Sequence, residues 1–165
     1  MYGSNWNNLV SFMDSAVQRL IPPHNFVCVQ KFNSYSSSHQ RVATMIHPDP
    51  SLNLGLTISG GGTNFNPPMS QAESIITAYP NYNTCIVFVT DGYASWSTSY
   101  ADPLKAKLNN LEANGYDTCF LCYFISSGYN TVPSQFQTLC DYFGADVIET
   151  DDDFEQAADD FNANI

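Results

Sequence analysis

Two short segments constrain this chain most, because each places a polar loop between an apolar run and a predicted helix. The first is SGGGTNFNPP at positions 59–68, and the second is CIVFVTDG at positions 85–92. In an open α/β sheet, such loops lie at the carboxyl ends of strands, where ligands bind. Thr63 and Asp91 are the oxygen-bearing side chains that the two loops would bring to that edge.

The order of the remaining predicted elements is that of an α/β protein. Apolar spacing predicts a helix over 6–21, and two β-rich runs over 26–32 and 41–46 predict an antiparallel hairpin. Helices and strands then alternate, and the predicted ranges are 67–79 (helix), 85–89 (strand), 103–114 (helix), 118–125 (strand), 134–143 (helix), 146–149 (strand) and 152–165 (helix). This order predicts a three-layer α/β/α sandwich, with a mostly parallel central sheet and one antiparallel edge strand.

Size and charge limit the class of protein. The chain has 165 residues, of which 44% are hydrophobic, so we expect one globular domain over 1–165. Its formal net charge is −11, from 16 acidic against 5 basic side chains. Nucleic acids and anionic membranes need basic surfaces, so this charge argues against both as partners. No apolar stretch is long enough for insertion across a bilayer.

The chain has five cysteines, which are predicted to be free thiols: Cys28, Cys85, Cys119, Cys122 and Cys140. Four of them lie in apolar runs, where a free thiol behaves as a small hydrophobic side chain. The CFLC segment at 119–122 has the spacing of a redox or zinc motif, but it falls inside a predicted strand. Residues three apart point to opposite faces of a strand, which disfavours that chemistry. Reduced cysteines and the lack of a visible signal peptide favour the cytoplasm.

The two loops also carry a family resemblance. GGTNF at 61–65 and VTDG at 89–92 resemble the second and third metal loops of a von Willebrand factor A domain, and the order of elements is similar over nearly the whole chain. The resemblance implies that Thr63 and Asp91 are metal ligands, with Mg²⁺, or Mn²⁺ or Ca²⁺, as the cofactor. It further implies that an open coordination position accepts an acidic residue of a partner protein.

Aromatic residues near these loops are candidate partner contacts. Phe65 follows Thr63, whereas Tyr93, Trp96 and Tyr100 follow Asp91. If the resemblance holds, they lie around the metal face, and tyrosine and tryptophan are favoured at binding hot spots. The alternative is that they cover the edges of the core.

The loop residues themselves also have ordinary structural interpretations. The glycines at 60–62 can form a tight turn, Thr63 can cap a helix, and the Asp91–Gly92 pair is common in turns. The occurrence of both motifs in order, each in a matching strand context, favours the metal site over these separate interpretations.

The resemblance fails at the amino-terminal side. The family's first metal motif, Asp-x-Ser-x-Ser, is absent, and the chain starts MYGSNW and enters a predicted helix. The sequence is therefore similar to an A domain truncated just after that loop, without the central strand that precedes it. Another chain or segment could supply a complementing strand, the sheet could close in an altered order, or the sequence could be a fragment.

These observations predict a non-catalytic protein-binding module with a partial metal-ion-dependent adhesion site. The alternative is a metal-independent structural or interaction subunit of a larger assembly. An enzyme is disfavoured, because no Gly-Lys-Ser/Thr follows the glycine run and no Gly-x-Ser-x-Gly elbow is present.

Overall fold

The structure is a computed structural model, and it describes residues 62–90, 93–125 and 131–150, together with positions 7, 9–11, 13, 28, 30 and 32. The described elements are, in chain order, α1 (Asn66–Ala78), β1 (Thr84–Thr90), α2 (Thr98–Ala113), β2 (Thr118–Ile125), α3 (Ser134–Phe143) and β3 (Val147–Thr150). Positions 7, 9–11 and 13 are helical, as predicted for 6–21. The predicted hairpin over 26–46 and the last helix over 152–165 lie outside the described residues, apart from three single positions in the hairpin.

The three described strands form a parallel sheet in the order β1-β2-β3. β1 and β2 pair from Thr84 with Thr118 to Thr90 with Phe124, and β3 pairs with the second half of β2. Parallel strands joined by helices confirm the predicted α/β fold. The antiparallel edge strand falls in the segment that the structure does not describe.

Aromatic rings fill the core beside this sheet. The ring of Phe65 lies 5.1 Å from that of Phe88 in β1 and 6.0 Å from that of Phe136 in α3. All three side chains are buried, as are Leu104 and Leu108 of α2. The loop before α1 is therefore anchored to the sheet through Phe65.

The start of α2 differs from the prediction. The helix begins at Thr98, and the Ser97 hydroxyl caps it by accepting the Ser99 N–H at 3.3 Å. Serine is a favoured N-cap because its oxygen satisfies a backbone donor that has no partner in the first turn. Asp102, which precedes the predicted start of the helix at position 103, lies inside the helix and accepts a hydrogen bond from the Tyr142 hydroxyl.

Two of the cysteines contradict the prediction of free thiols. Cys85 of β1 and Cys119 of β2 are directly opposite in the sheet and form a disulfide. The sequence prediction missed the bond because it depends on the register between two strands. The bond also removes a premise of the cytoplasmic prediction, since disulfides persist in oxidising compartments.

The other pair of thiols is as predicted. Cys122 and Cys140 are free and fully buried between β2 and α3. The pKa of the Cys122 thiol lies far above its usual range. The largest cause is a hydrogen bond with Cys140, and the second is burial. Such a thiol is unreactive while the protein stays folded.

None of the described helices combines the length and the apolar character needed to cross a bilayer.

Candidate functional site

Hydrogen bonds join the loop before α1 to the loop after β1. Asn64 and Ser95 form an isolated parallel bridge, and the Phe65 N–H donates to the Ser95 carbonyl oxygen at 3.1 Å. The Ser97 N–H donates to Asn66 Oδ1 at 2.8 Å. The first predicted metal loop is therefore in direct contact with the segment that follows the second.

The predicted ligands lie beside this junction in the sequence. Thr63 is half-buried and immediately precedes the bridged Asn64. Asp91 lies outside the described residues, and it follows Thr90, the last residue of β1, which is 3% exposed. The junction thus joins the neighbours of both predicted ligands at the carboxyl end of β1.

The aromatic side chains near the junction differ in exposure. Tyr93 is 65% exposed and Tyr100 is 43% exposed, so both rings are available to a partner. Phe65 is fully buried, and its predicted role as a partner contact is corrected. The physical reason is the bridge at Asn64, which fixes the backbone so that the next side chain enters the core.

Trp96 is held by contacts within the protein. Its indole N–H donates to the Gln135 carbonyl oxygen at 3.1 Å, and its ring centroid lies 5.4 Å from that of Tyr142. These contacts join the loop after β1 to α3. They fit the alternative prediction, in which Trp96 covers the edge of the core instead of contacting a partner.

A polar cluster around Tyr142 extends this contact to α2. The Tyr142 hydroxyl donates to the Asp102 carboxylate, and this bond raises the pKa of Tyr142 above its usual value. The Lys105 Nζ lies 4.5 Å from the centre of the same ring, a cation–π geometry. Sequence analysis missed this cluster. The only local indication was the spacing of Asp102 and Lys105, which places them on one face of a helix.

Comparisons with known proteins support the fold rather than a close relationship. No protein-family model matches the sequence, and neither does any curated protein. Among solved structures, the chain is similar to "von Willebrand factor type A from Catenulispora acidiphila", with a TM-score of 0.68 and 16% sequence identity over 96% of this chain. The chain has a von Willebrand factor A-like fold. It spans 37% of the length of that solved chain.

This result confirms, at the level of the fold, the resemblance to the von Willebrand factor A family. Because the two sequences are only 16% identical, this likeness shows the fold alone.

The described loop residues fit a divalent cation only in part. Mg²⁺ requires about six oxygen ligands in near-octahedral geometry. Thr63 offers a hydroxyl, but Asn64 Oδ1 accepts the Asn66 N–H at 3.0 Å and Asn66 Oδ1 accepts the Ser97 N–H. No group of three or more histidine, cysteine or acidic side chains with metal-binding geometry occurs among the described residues. A cation here would depend on Thr63, on Asp91 and on water.

Proposed function

We propose that this chain is a non-catalytic protein-binding module whose partner surface lies at the carboxyl end of β1. The junction between Asn64 and Ser95 is the observation that supports this proposal, because it joins the two loops that carry Thr63 and Asp91. A divalent cation bound by Thr63, and through water by Asp91, would supply an open position for an acidic side chain of the partner.

Charge gives a physical reason for the cation. The chain has a net charge of −11, so its surface repels an acidic side chain of a partner over most approaches. A bound dication would reverse the sign of the potential locally at this edge. Tyr93 and Tyr100, both exposed, would add apolar contact area beside the charged contact.

Titration with Mn²⁺, followed by the relaxation rate of water protons, tests the metal site directly. We expect one saturable site that competes with Mg²⁺ and is lost in Thr63→Ala and in Asp91→Ala. Thr77→Ala, on the exposed side of α1, and Asp117→Ala, at the opposite end of the sheet, are the matched controls and should keep it. Equal Mn²⁺ binding by all five proteins would rule out the proposed ligands.

A metal-independent interaction subunit is the second candidate function. The observation that favours it is the use of Asn64 Oδ1 and Asn66 Oδ1 in hydrogen bonds within the protein, which leaves few oxygens for a cation. In that case, partners copurified with the tagged chain would remain bound in EDTA, and Thr63→Ala would retain them. The first proposal expects EDTA to release them.

For this second candidate function, we further propose that a strand from another chain or segment pairs with the edge of β1. In the order of the three described strands, β1 stands at one end, and its apolar residues Ile86, Val87 and Val89 are only half-buried. Strands rich in such residues usually have neighbours on both sides. Hydrogen exchange of the β1 amides, compared before and after partner binding, would test it, since added pairing slows exchange.

A further inference from the structure

A polar cavity lies between the start of α1 and the start of α2, next to the joined loops. Its volume is about 310 Å³, near the lower end for small-molecule sites. The residues that line it are Asn64, Asn66, Pro67, Ser70, Gln71, Ser74 and Tyr100. None of them is acidic or basic, although acidic side chains are frequent in the chain as a whole. We propose that this cavity binds a neutral sugar unit of a glycan.

The hydrogen bonds around the cavity fix the orientation of two amide groups. Asn64 Oδ1 accepts the Asn66 N–H, and Asn66 Oδ1 accepts the Ser97 N–H. Because both donors are backbone N–H groups, each acceptor must be the amide oxygen, and this determines where the Nδ2 group lies. The two Nδ2 groups make no hydrogen bond to any described residue. They are pre-oriented donors for a ligand.

Other lining groups complement these donors. Within the described part of the chain, the Gln71 amide, the Ser70 hydroxyl and the Tyr100 hydroxyl are also without hydrogen-bond partners. Gln71 offers both a donor and an acceptor, and each hydroxyl can act as either. Sugar hydroxyls also donate and accept, so a ring with several of them matches this set. The exposed ring of Tyr100 provides an apolar face against which the C–H groups of a sugar can pack.

The chemistry of the lining disfavours charged ligands. A helix amino terminus attracts anions through its free N–H groups, but the second and third residues of α1 are Pro67 and Pro68, which have none. The N–H of Asn66 is already bonded to Asn64. Among the described residues, no carboxylate lines the cavity to hold a cation. An extended peptide is also disfavoured, because the space suits a compact ligand rather than a ladder of backbone contacts.

A titration of the ¹⁵N-labelled chain tests the proposal. The probes are lactose, maltose, cellobiose and N,N′-diacetylchitobiose, and the buffer contains EDTA so that the metal proposal is not involved. We expect at least one disaccharide to shift the backbone amide signals of Ser70, Gln71 and Tyr100 in a saturable manner. Gln71→Ala and Tyr100→Ala should each weaken that binding by about fivefold, the effect of losing one or two neutral contacts. Asn109→Ala, an exposed position on α2, is the control and should bind as the unaltered chain does.

Three outcomes would overturn the proposal. One is that no disaccharide shifts these signals at tens of millimolar, and another is that Gln71→Ala and Tyr100→Ala bind as tightly as Asn109→Ala. The third is that glucose 6-phosphate or triglycine binds this cavity more tightly than the neutral sugars, which would assign it to anions or peptides. Thr63→Ala should lose the metal ion but keep the sugar binding. The failure of the metal-site proposal can therefore be distinguished from the failure of the sugar-site proposal.

Discussion

The two ends of the β1–β2 pair are held by different kinds of bond. At the amino end, the Cys85–Cys119 disulfide links the strands covalently, and the Thr84 N–H donates to the Asp117 carbonyl oxygen at 2.9 Å. At the carboxyl end, the flanking loops are held together by single hydrogen bonds, such as that from the Ser97 N–H to Asn66 Oδ1.

The two ends therefore differ in how much each bond stabilises the fold. A disulfide typically stabilises a protein by about 2–4 kcal/mol, whereas one neutral hydrogen bond contributes about 0.5–1.5 kcal/mol. The carboxyl end gains its remaining support from Phe65, whose buried ring lies under the junction. The covalent bond at the amino end and the buried rings of the core therefore contribute more to the stability of the fold than the polar contacts at the carboxyl end do.

The largest effect is expected for Phe65→Ala. The side chain is fully buried against Phe88 and Phe136, so its removal leaves a cavity and should lower the free energy of unfolding by about 3–5 kcal/mol. Urea denaturation followed by circular dichroism measures the change. Tyr93→Ala is the control, since an exposed ring should cost no more than about 0.5 kcal/mol. Similar losses in both variants would mean that Phe65 does not anchor the carboxyl end.

The next effect is expected for the amino end. Reduction of the Cys85–Cys119 bond, whose cysteines are 34 residues apart, should lower the free energy of unfolding by about 2–4 kcal/mol because the unfolded chain gains freedom. Urea denaturation with and without dithiothreitol measures this loss. The double variant Cys85→Ala/Cys119→Ala should match the reduced protein and be insensitive to dithiothreitol. If dithiothreitol also left the urea midpoint of the unaltered chain unchanged, the disulfide would not stabilise the amino end. The contrast between the two ends would then be wrong.

The smallest effect is expected at the junction itself. Asn66→Ala removes the acceptor of the Ser97 N–H and should cost about 1 kcal/mol. Hydrogen exchange of the Ser97 amide should become faster in this variant, as measured by NMR. Asn66→Asp keeps an oxygen acceptor at the same position and should retain slow exchange. Equal exchange rates in the two variants would show that the side chain does not hold the loops together.

The sequence predicted those elements whose determinants are local. The bounds of β2 and α3 agree with the predicted 118–125 and 134–143, because each has an uninterrupted apolar pattern with a clear end. Gly144 ends α3 with φ at 72°, a conformation that glycine adopts without steric cost. The predicted start of α2 was wrong because two N-terminal signals compete in the sequence. Ser97 is one possible cap and the Asp102–Pro103 pair is another, and both are plausible from sequence.

The candidate site was predicted less completely, because its geometry depends on contacts between distant segments. The motifs predicted that Thr63 and Asp91 lie in loops at one edge of the sheet, but they gave no sign that Phe65, next to the Asn64–Ser95 bridge, is buried in the core. The disulfide depends on the strand register, and the polar cavity depends on how two helices approach each other. Neither leaves a periodic pattern in the sequence.

The Cys85–Cys119 bond has a practical consequence for handling the protein. A protease that cuts once in the connection between these cysteines, for example near the exposed Tyr93, would leave both products covalently attached. The nicked molecule would migrate as one band on a denaturing gel and separate into two only after the thiols are released. Intact and clipped preparations would thus look alike unless reductant is added.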